Sequence, residues 1–521
     1  MSLPSHPARP IWRSALVAGV LALLVYAAFS GKLLLKPSPH FHFTDMAAGL
    51  LQGRFDTDTP RRPAGVPGKP DDLPGYQAAI DRAVIGPDGK HSGWNDWASY
   101  RVLTLKGGQE VRGVFPWKDT DGPRKQEFWT LQGQVMLIDV NKDLKVGCKQ
   151  GQPWARCDEV VYQVSFPPFP AVILMPLVAV FGYNTNDVLV TILFAALSVA
   201  LWHALLRRLR DQGRLASTNT DLWWHTAFLA VGSAALYCSI RGSVWFSALA
   251  MGLTLNLLHF WFAIGARRPL LAGVFLGLGV ATRTPLLFAT IFLPLEALWP
   301  GGRFLGGDGK QGLLRATKQI ALFGLPLAAV GAALAWHNYV RWGNPAEFGH
   351  FYLLEGTRVP TREHGLFNTI FLNNNLAASL TNMPRILLDY PYVLVTRHGL
   401  GLLASMPALA AMVGACKKPL LPDSDADLEQ EDQKDRADRS LQTHLLVTVL
   451  AVAIPGWLYQ NDGWQQFAYR FSMDFLPPLL LLFALRLPRL SRTVRGLIVL
   501  GVVVQVFGAV TFGRMEQFYY D

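Results

Sequence analysis

Apolar stretches of about 20 residues recur along most of this chain, and nothing else in the sequence limits its fold so strongly. SALVAGVLALLVYAAFS and VLVTILFAALSVALWHALL are two of them. A helix of about 20 apolar residues spans the hydrocarbon of a bilayer and satisfies its own backbone hydrogen bonds there. The pattern therefore predicts an α-helical polytopic membrane protein. Composition agrees, because 51% of the 521 residues are hydrophobic and only 16% are charged, against roughly 25% charged in an ordinary soluble domain. A soluble enzyme and a secreted disulfide scaffold are excluded. The net charge of +11 sits in short basic clusters between the apolar blocks. The positive-inside bias accounts for these clusters, so the partner they point to is the lipid bilayer and not nucleic acid.

The block at 12–30 is followed by GKLLLKPSPH and not by a small-residue cleavage site, so it reads as a retained first span. Further spans are predicted near 186–206, 222–240, 243–264, 269–282, 285–299, 319–338, 393–415, 442–458, 473–486 and 495–512, about eleven in all. The blocks 269–282 and 285–299 are short and meet at Thr282-Arg283-Thr284-Pro285. Every second connection is basic: RRLRDQGR, GARRP, the segment 301–318, the KK of ACKKP with the charged run to Arg439, and RLPRLSRTVR. All five fall on one side if the N-terminus is cytoplasmic and the C-terminus outside.

Three regions follow. Residues 1–30 form an N-terminal tail and the first span, 31–185 a first outside loop, and 186–521 a multi-helix membrane domain with outside loops near 339–390 and 459–471. Long loops on one face suit a membrane enzyme or receptor better than a small-solute transporter, and no internal repeat is visible. In the first loop, Met46, Leu50, Leu51 and Phe55 share one helical face, which predicts a short interfacial helix over 46–55. Residues 56–96 read as a Pro- and Gly-rich loop, and 97–165 as a small β subdomain carrying YRVLTL, EVRGVF, GQVMLIDV and EVVYQVSF. The Pro-interrupted segment 167–182 reads as a further interfacial or re-entrant helix, and 421–441 as a charged loop. Cys148 and Cys157 flank KQGQPWAR on the outside, where a disulfide is chemically permitted and nearby metal ligands are missing. Cys238 and Cys416 read as packing residues.

No H-E-x-x-H, G-x-S-x-G or G-x-x-x-x-G-K-[ST] occurs, so zinc proteolysis, a serine-hydrolase elbow and P-loop hydrolysis have no support. What remains is polar side chains at span ends: Asp45 after the first span, Arg241, Arg283, His337 with Asn338, and Tyr469 with Arg470 and Asp474. A charge at membrane depth costs roughly 2.5–3.5 kcal/mol on the insertion scale, so such groups line cavities or pair with each other. Interfacial snorkelling is the plain alternative for any one of them. Taken together they predict an Arg-lined pocket with a carboxylate, suited to an anionic phosphate ligand.

An acidic residue directly after the first span, in a long outside loop with an interfacial helix, resembles the GT-C superfamily of membrane glycosyltransferases. That superfamily includes protein O-mannosyltransferases and lipid A aminoarabinose transferases. The segments that carry the likeness are HFHFTDMAAGLLQGRF (40–55), YQVSFPPFPAVILMPLVAVFG (162–182), LLAGVFLGLGVATRTPLL (270–287), NYVRWGNPAEFG (338–349) and QFAYRFSMDFLPPLL (466–480). The resemblance implies a GT-C-like fold in a bacterial cytoplasmic membrane, with the active site facing the periplasm. It implies inverting transfer of a sugar from a polyprenyl-phosphate donor to a hydroxyl on a cell-envelope glycan, lipid or protein. By position Asp45 would be the catalytic base, and Arg283 would lie towards the lipid phosphate. Arg241, His337, Asn338, Tyr469 and Arg470 are the further substrate-binding candidates. Thr44 stands where many relatives have a second acid, and Phe166-Pro167-Pro168 replaces their His-Pro-Pro. No cofactor follows from the sequence, and a divalent cation stays open. The alternatives are a lipid-linked glycan ligase or polymerase, and a non-catalytic transporter of a lipid-linked substrate.

Overall fold

The structure is a computed structural model that describes residues 11–38, 40–57, 97–115, 125–148, 151–353, 364–414 and 425–520. The remainder of the segment 56–96, together with Asp58 and Cys416, lies outside the described residues. Among the described residues six helices are long and apolar enough to cross a bilayer: Ile11–Leu35, Asp187–Asp211, Val244–Ala266, Gly309–Trp342, Asp435–Leu458 and Arg492–Thr511. Four shorter apolar helices accompany them, Phe169–Asn184, Pro269–Val280, Thr284–Leu298 and Leu476–Arg486. The chain is a helical, multi-pass membrane protein.

It divides into two compact units, one of residues 1–36, 186–330 and 367–521, the other of residues 37–185 and 331–366. The first is built on helices. Its core runs through Tyr26, Trp202, Phe228, Phe260, Phe292 and Phe483, all fully buried. Several expected spans take a different form here. The stretch 222–240 is a helix over Asn219–Val231 and a separate short one over Ala235–Ser239. At the break Ser233 turns its hydroxyl onto Leu229 O and accepts from Ala235 N, a local bond that competes with the helix ladder. Residues 393–415 do not make a span. Among the described residues they give a strand at Val393–Thr396 and short helical pieces at Leu402–Ser405, Pro407–Ala410 and Ala411–Gly414. Gly399, at φ +83, and Pro407 interrupt what hydropathy alone reads as continuous. The charged run expected as a loop is helical from Asp425 onward and continues into the span to Leu458. Its Glu, Gln, Lys and Arg residues are good helix formers.

The second unit holds a five-stranded antiparallel sheet. Its strands are β1 (Trp97–Thr104), β2 (Glu110–Val114), β3 (Gln126–Thr130), β4 (Val135–Ile138) and β5 (Asp158–Val164), ordered β4-β3-β2-β1-β5. One face packs Leu103, Val111, Phe115 and Phe128, the other Ala98, Tyr100, Val114 and Trp342. Trp342 also stacks on Tyr352 with centroids 4.8 Å apart. Cys148 and Cys157 are joined in a disulfide, with Cα atoms 5.2 Å apart.

Candidate functional site

The helix expected over 46–55 begins at His42 and ends at Leu51, four residues earlier than its apolar face predicts. Asp45 therefore lies inside the first turn, where a carboxylate meets the positive end of the helix dipole. It does not occupy the N-cap, which is Phe41. The carboxylate is 1% exposed, and its Oδ1 accepts a hydrogen bond from the Tyr183 hydroxyl at 2.7 Å. Aromatic rings wall this spot: Phe41 meets Tyr183 edge-on at 5.3 Å, and Phe166 meets His42 at 6.2 Å and Phe43 at 5.8 Å. Segments 40–55 and 162–182 thus come together around one oriented acid. Tyr183 is a residue that sequence reasoning missed. It lies 138 positions from Asp45, and no local pattern joins them.

The same unit holds His337 and Asn338 near the end of the helix Gly309–Trp342. His337 packs edge-on against Phe55 at 5.4 Å. Asn338 Nδ2 donates to Pro345 O at 3.2 Å, and its Oδ1 accepts from Arg341 Nη2 at 3.1 Å. Arg341, 2% exposed, also donates from Nη1 to Val164 O at 2.7 Å, tying NYVRWG to the end of β5. The i, i+3 spacing of Asn338 and Arg341 was a legible signal for this second missed residue. Just beyond, burial holds the Glu347 carboxyl above its ordinary range, although backbone N–H groups of Gly349, Phe351 and His350 and the Arg341 charge pull it down. Burial, helped by Arg341, lowers His350 to about 4.

The remaining candidates lie in the helical unit. Arg283 follows the helix Pro269–Val280, where Pro285 prevents the helix from continuing. Its Nε and Nη2 grip Asp474 Oδ1 and Oδ2, both at 2.6 Å, in a bidentate pair whose side chains are 10% and 4% exposed. Gly252 makes room for it, since a Cβ there would stand 3.3 Å from Arg283 Cδ. The expensive guanidinium of the sequence is thus met by a carboxylate from segment 466–480. Arg470 is buried, with its guanidinium near the rings of Phe246 at 5.7 Å and Phe471 at 5.5 Å. Its backbone N donates to Gln466 Oε1 at 2.8 Å. Tyr469 is 1% exposed beside Phe471. Arg241 lies over the Phe512 ring at 4.8 Å, and among the described residues no carboxylate pairs with it. Its Nε and Nη2 are buried without a hydrogen-bond partner there. Chemically, Arg283 is neutralised by Asp474, whereas among the described residues no carboxylate neutralises Arg241.

Compared with family models, with curated proteins and with solved structures, the chain matches none. The site must stand on its own geometry. Among the described residues no three His, Cys, Asp or Glu side chains gather as a metal ion would require.

Proposed function

We propose that the chain is a GT-C-like membrane glycosyltransferase that moves a sugar from a polyprenyl-phosphate donor to an acceptor hydroxyl on the periplasmic face of the bacterial cytoplasmic membrane. The observation that carries this reading is Asp45, a buried carboxylate oriented by Tyr183 on the first turn of a helix directly after the first span. Asp45 takes the proton of the acceptor hydroxyl, whose oxygen attacks C1 of the sugar with inversion. The C1–O bond to phosphate breaks, and the electron pair leaves with the lipid phosphate. Such proton transfer is worth about 10²–10⁴ in rate. Arg241 is the side chain assigned to the phosphate charge, because Arg283 already holds Asp474 and among the described residues no carboxylate pairs with Arg241. A phosphate leaving group needs no strong general acid.

The test is complementation of a deletion strain, read by mass spectrometry of its cell-envelope glycans. Loss of one sugar substituent in the deletion, restored by the wild-type chain and not by Asp45→Asn, is the expected outcome. Asn fills the same space, so Asp45→Asn should accumulate in the membrane normally while transfer falls about 100-fold or more. Full restoration by Asp45→Asn would remove the base assignment, and an unchanged glycan profile in the deletion strain would remove the transferase reading.

A further inference from the structure

A second, small sheet in the helical unit leaves an apolar hairpin uncovered. Its strands are β6 (Arg385–Ile386), β7 (Val393–Thr396) and β8 (Tyr519–Tyr520), with β6 antiparallel and β8 parallel to β7. The connecting sequence MPRILLDYPY exposes Met383, Ile386, Leu387, Leu388, Tyr390 and Tyr392, and Leu388 is 97% exposed. Six large apolar side chains on ten residues form a patch that water would not favour.

Its position says what covers it. β8 comes shortly after the span Arg492–Thr511, and Thr511 Oγ1 lies 2.8 Å from the Tyr519 hydroxyl. Arg514 Nη2 donates to Phe29 O at 2.8 Å, so the end of the last span and the end of the first stand at one level. Ser30 Oγ in turn donates to Ile240 O at 2.6 Å, bringing a third chain reversal to that level. The hairpin hangs from this same layer. Tyr390 meets Phe518 at 6.2 Å and accepts from Gln517 Nε2 at 3.2 Å, and Phe518 packs on Phe507 inside the span at 5.3 Å. The composition fits that depth, since Tyr is favoured where a bilayer changes from acyl chain to headgroup. Arg385, seated over the Tyr520 ring at 4.0 Å, and the exposed Asp389 keep the segment from going deeper.

We propose that residues 383–392 are a membrane-interface anchor that buries Ile386, Leu388 and Tyr390 in the headgroup–acyl boundary of the bilayer this unit spans. The partner is the lipid surface itself, and the inference does not depend on the transferase reading. It fixes β7, and with it the chain that leads to Gly399 and Leu400, whose N donates to Phe467 O at 2.8 Å beside Tyr469 and Arg470.

A nitroxide at Leu388→Cys tests this in the full-length protein reconstituted in phosphatidylcholine vesicles. Cys416→Ser removes one competing thiol, Cys238 is buried, and Cys148 and Cys157 are disulfide-bonded. Leu388 touches so little of the protein that its replacement should not disturb folding, and Ile386→Cys provides a second reading. Collision with dissolved oxygen relative to a water-soluble nickel chelate should be several-fold higher at both positions than at Lys142→Cys, an exposed polar site of the five-stranded sheet unit. A ratio equal to that of Lys142→Cys would place the hairpin in water and overturn the proposal. Screening of both labels from both reagents would also overturn it, since a second copy or the protein itself would then be the cover.

Discussion

The pair of Arg283 and Asp474 shows how one contact changes the meaning of a charge. Alone at the junction of two apolar blocks, Arg283 asks for an anion; gripped at 2.6 Å by both oxygens of Asp474, it is already neutralised. Removing one partner of a buried pair strands the other, at a cost of about 3–5 kcal/mol. Arg283→Ala should therefore lower the thermal midpoint strongly in detergent, while Arg283→Met with Asp474→Leu should recover most of it. If the double variant is stable and still active, Arg283 serves packing alone. His350 gives a pH effect of definite sign. Its folded pKa of about 4 lies below the ordinary 6.5, so between those values only the unfolded chain takes up the proton. Its contribution is lost as pH falls through that window and is constant below it. Glu347, raised by burial, works in the opposite sense as pH rises through its own value. Comparing the unfolding of wild type with His350→Gln across pH 4 to 7 isolates the histidine: the wild type should lose ground to the variant on acidification to about pH 4. A flat difference would mean that the ring is not sequestered.

Among the elements, one pair of helices approaches closely over small residues. Gly273 and Gly277 lie one turn apart on Pro269–Val280, facing the helix Gly309–Trp342. A Cβ on Gly273 would stand 2.2 Å from Phe323 O, and one on Gly277 would stand 3.1 Å from Val330 Cγ2. This is the small-xxx-small arrangement that lets membrane helices approach closely without a hydrophobic driving force between them. Gly273→Leu should cost on the order of 1–3 kcal/mol or more by overpacking, seen as a lowered midpoint, whereas Gly324→Leu, on the same neighbouring helix with open space around it, should be nearly neutral. The elements also explain where hydropathy misled. It registers that 393–415 is apolar, but not that β7 finds ladder partners in β6 and in β8 more than 120 residues away.

For the whole molecule, the basic connections make a topological prediction that the helix ends can be held against. With a cytoplasmic N-terminus, Cys416 should be inaccessible to a membrane-impermeant maleimide in intact cells and become labelled once they are opened. Labelling in intact cells would reverse the orientation and remove the periplasmic transfer reading with it. The fold divides the sequence unevenly: the segment 331–366 joins residues 37–185 in one unit although 145 residues of helical chain, 186–330, separate them. No local pattern announces that association, because it rests on Trp342 and Tyr352 filling one face of a sheet formed far upstream.

What the sequence determined by itself is what short-range physics controls. Apolar length and period set the membrane class and the alternation that yields β1, β2, β4 and β5, but not the number of crossings, since about eleven blocks read as spans and six helices of crossing length stand among the described residues. Proline and glycine set the break at Arg283, and the position just past the first span made Asp45 a candidate before any neighbour was known. Only the tertiary structure decided which groups meet. Tyr183 reaches Asp45, Asp474 takes the fork of Arg283, Arg341 ties Asn338 to β5, and among the described residues no carboxylate pairs with Arg241. Those outcomes depend on contacts between residues tens to hundreds of positions apart, where the energy of burying a charge or a hydroxyl is settled by its partner and not by its neighbours in the chain.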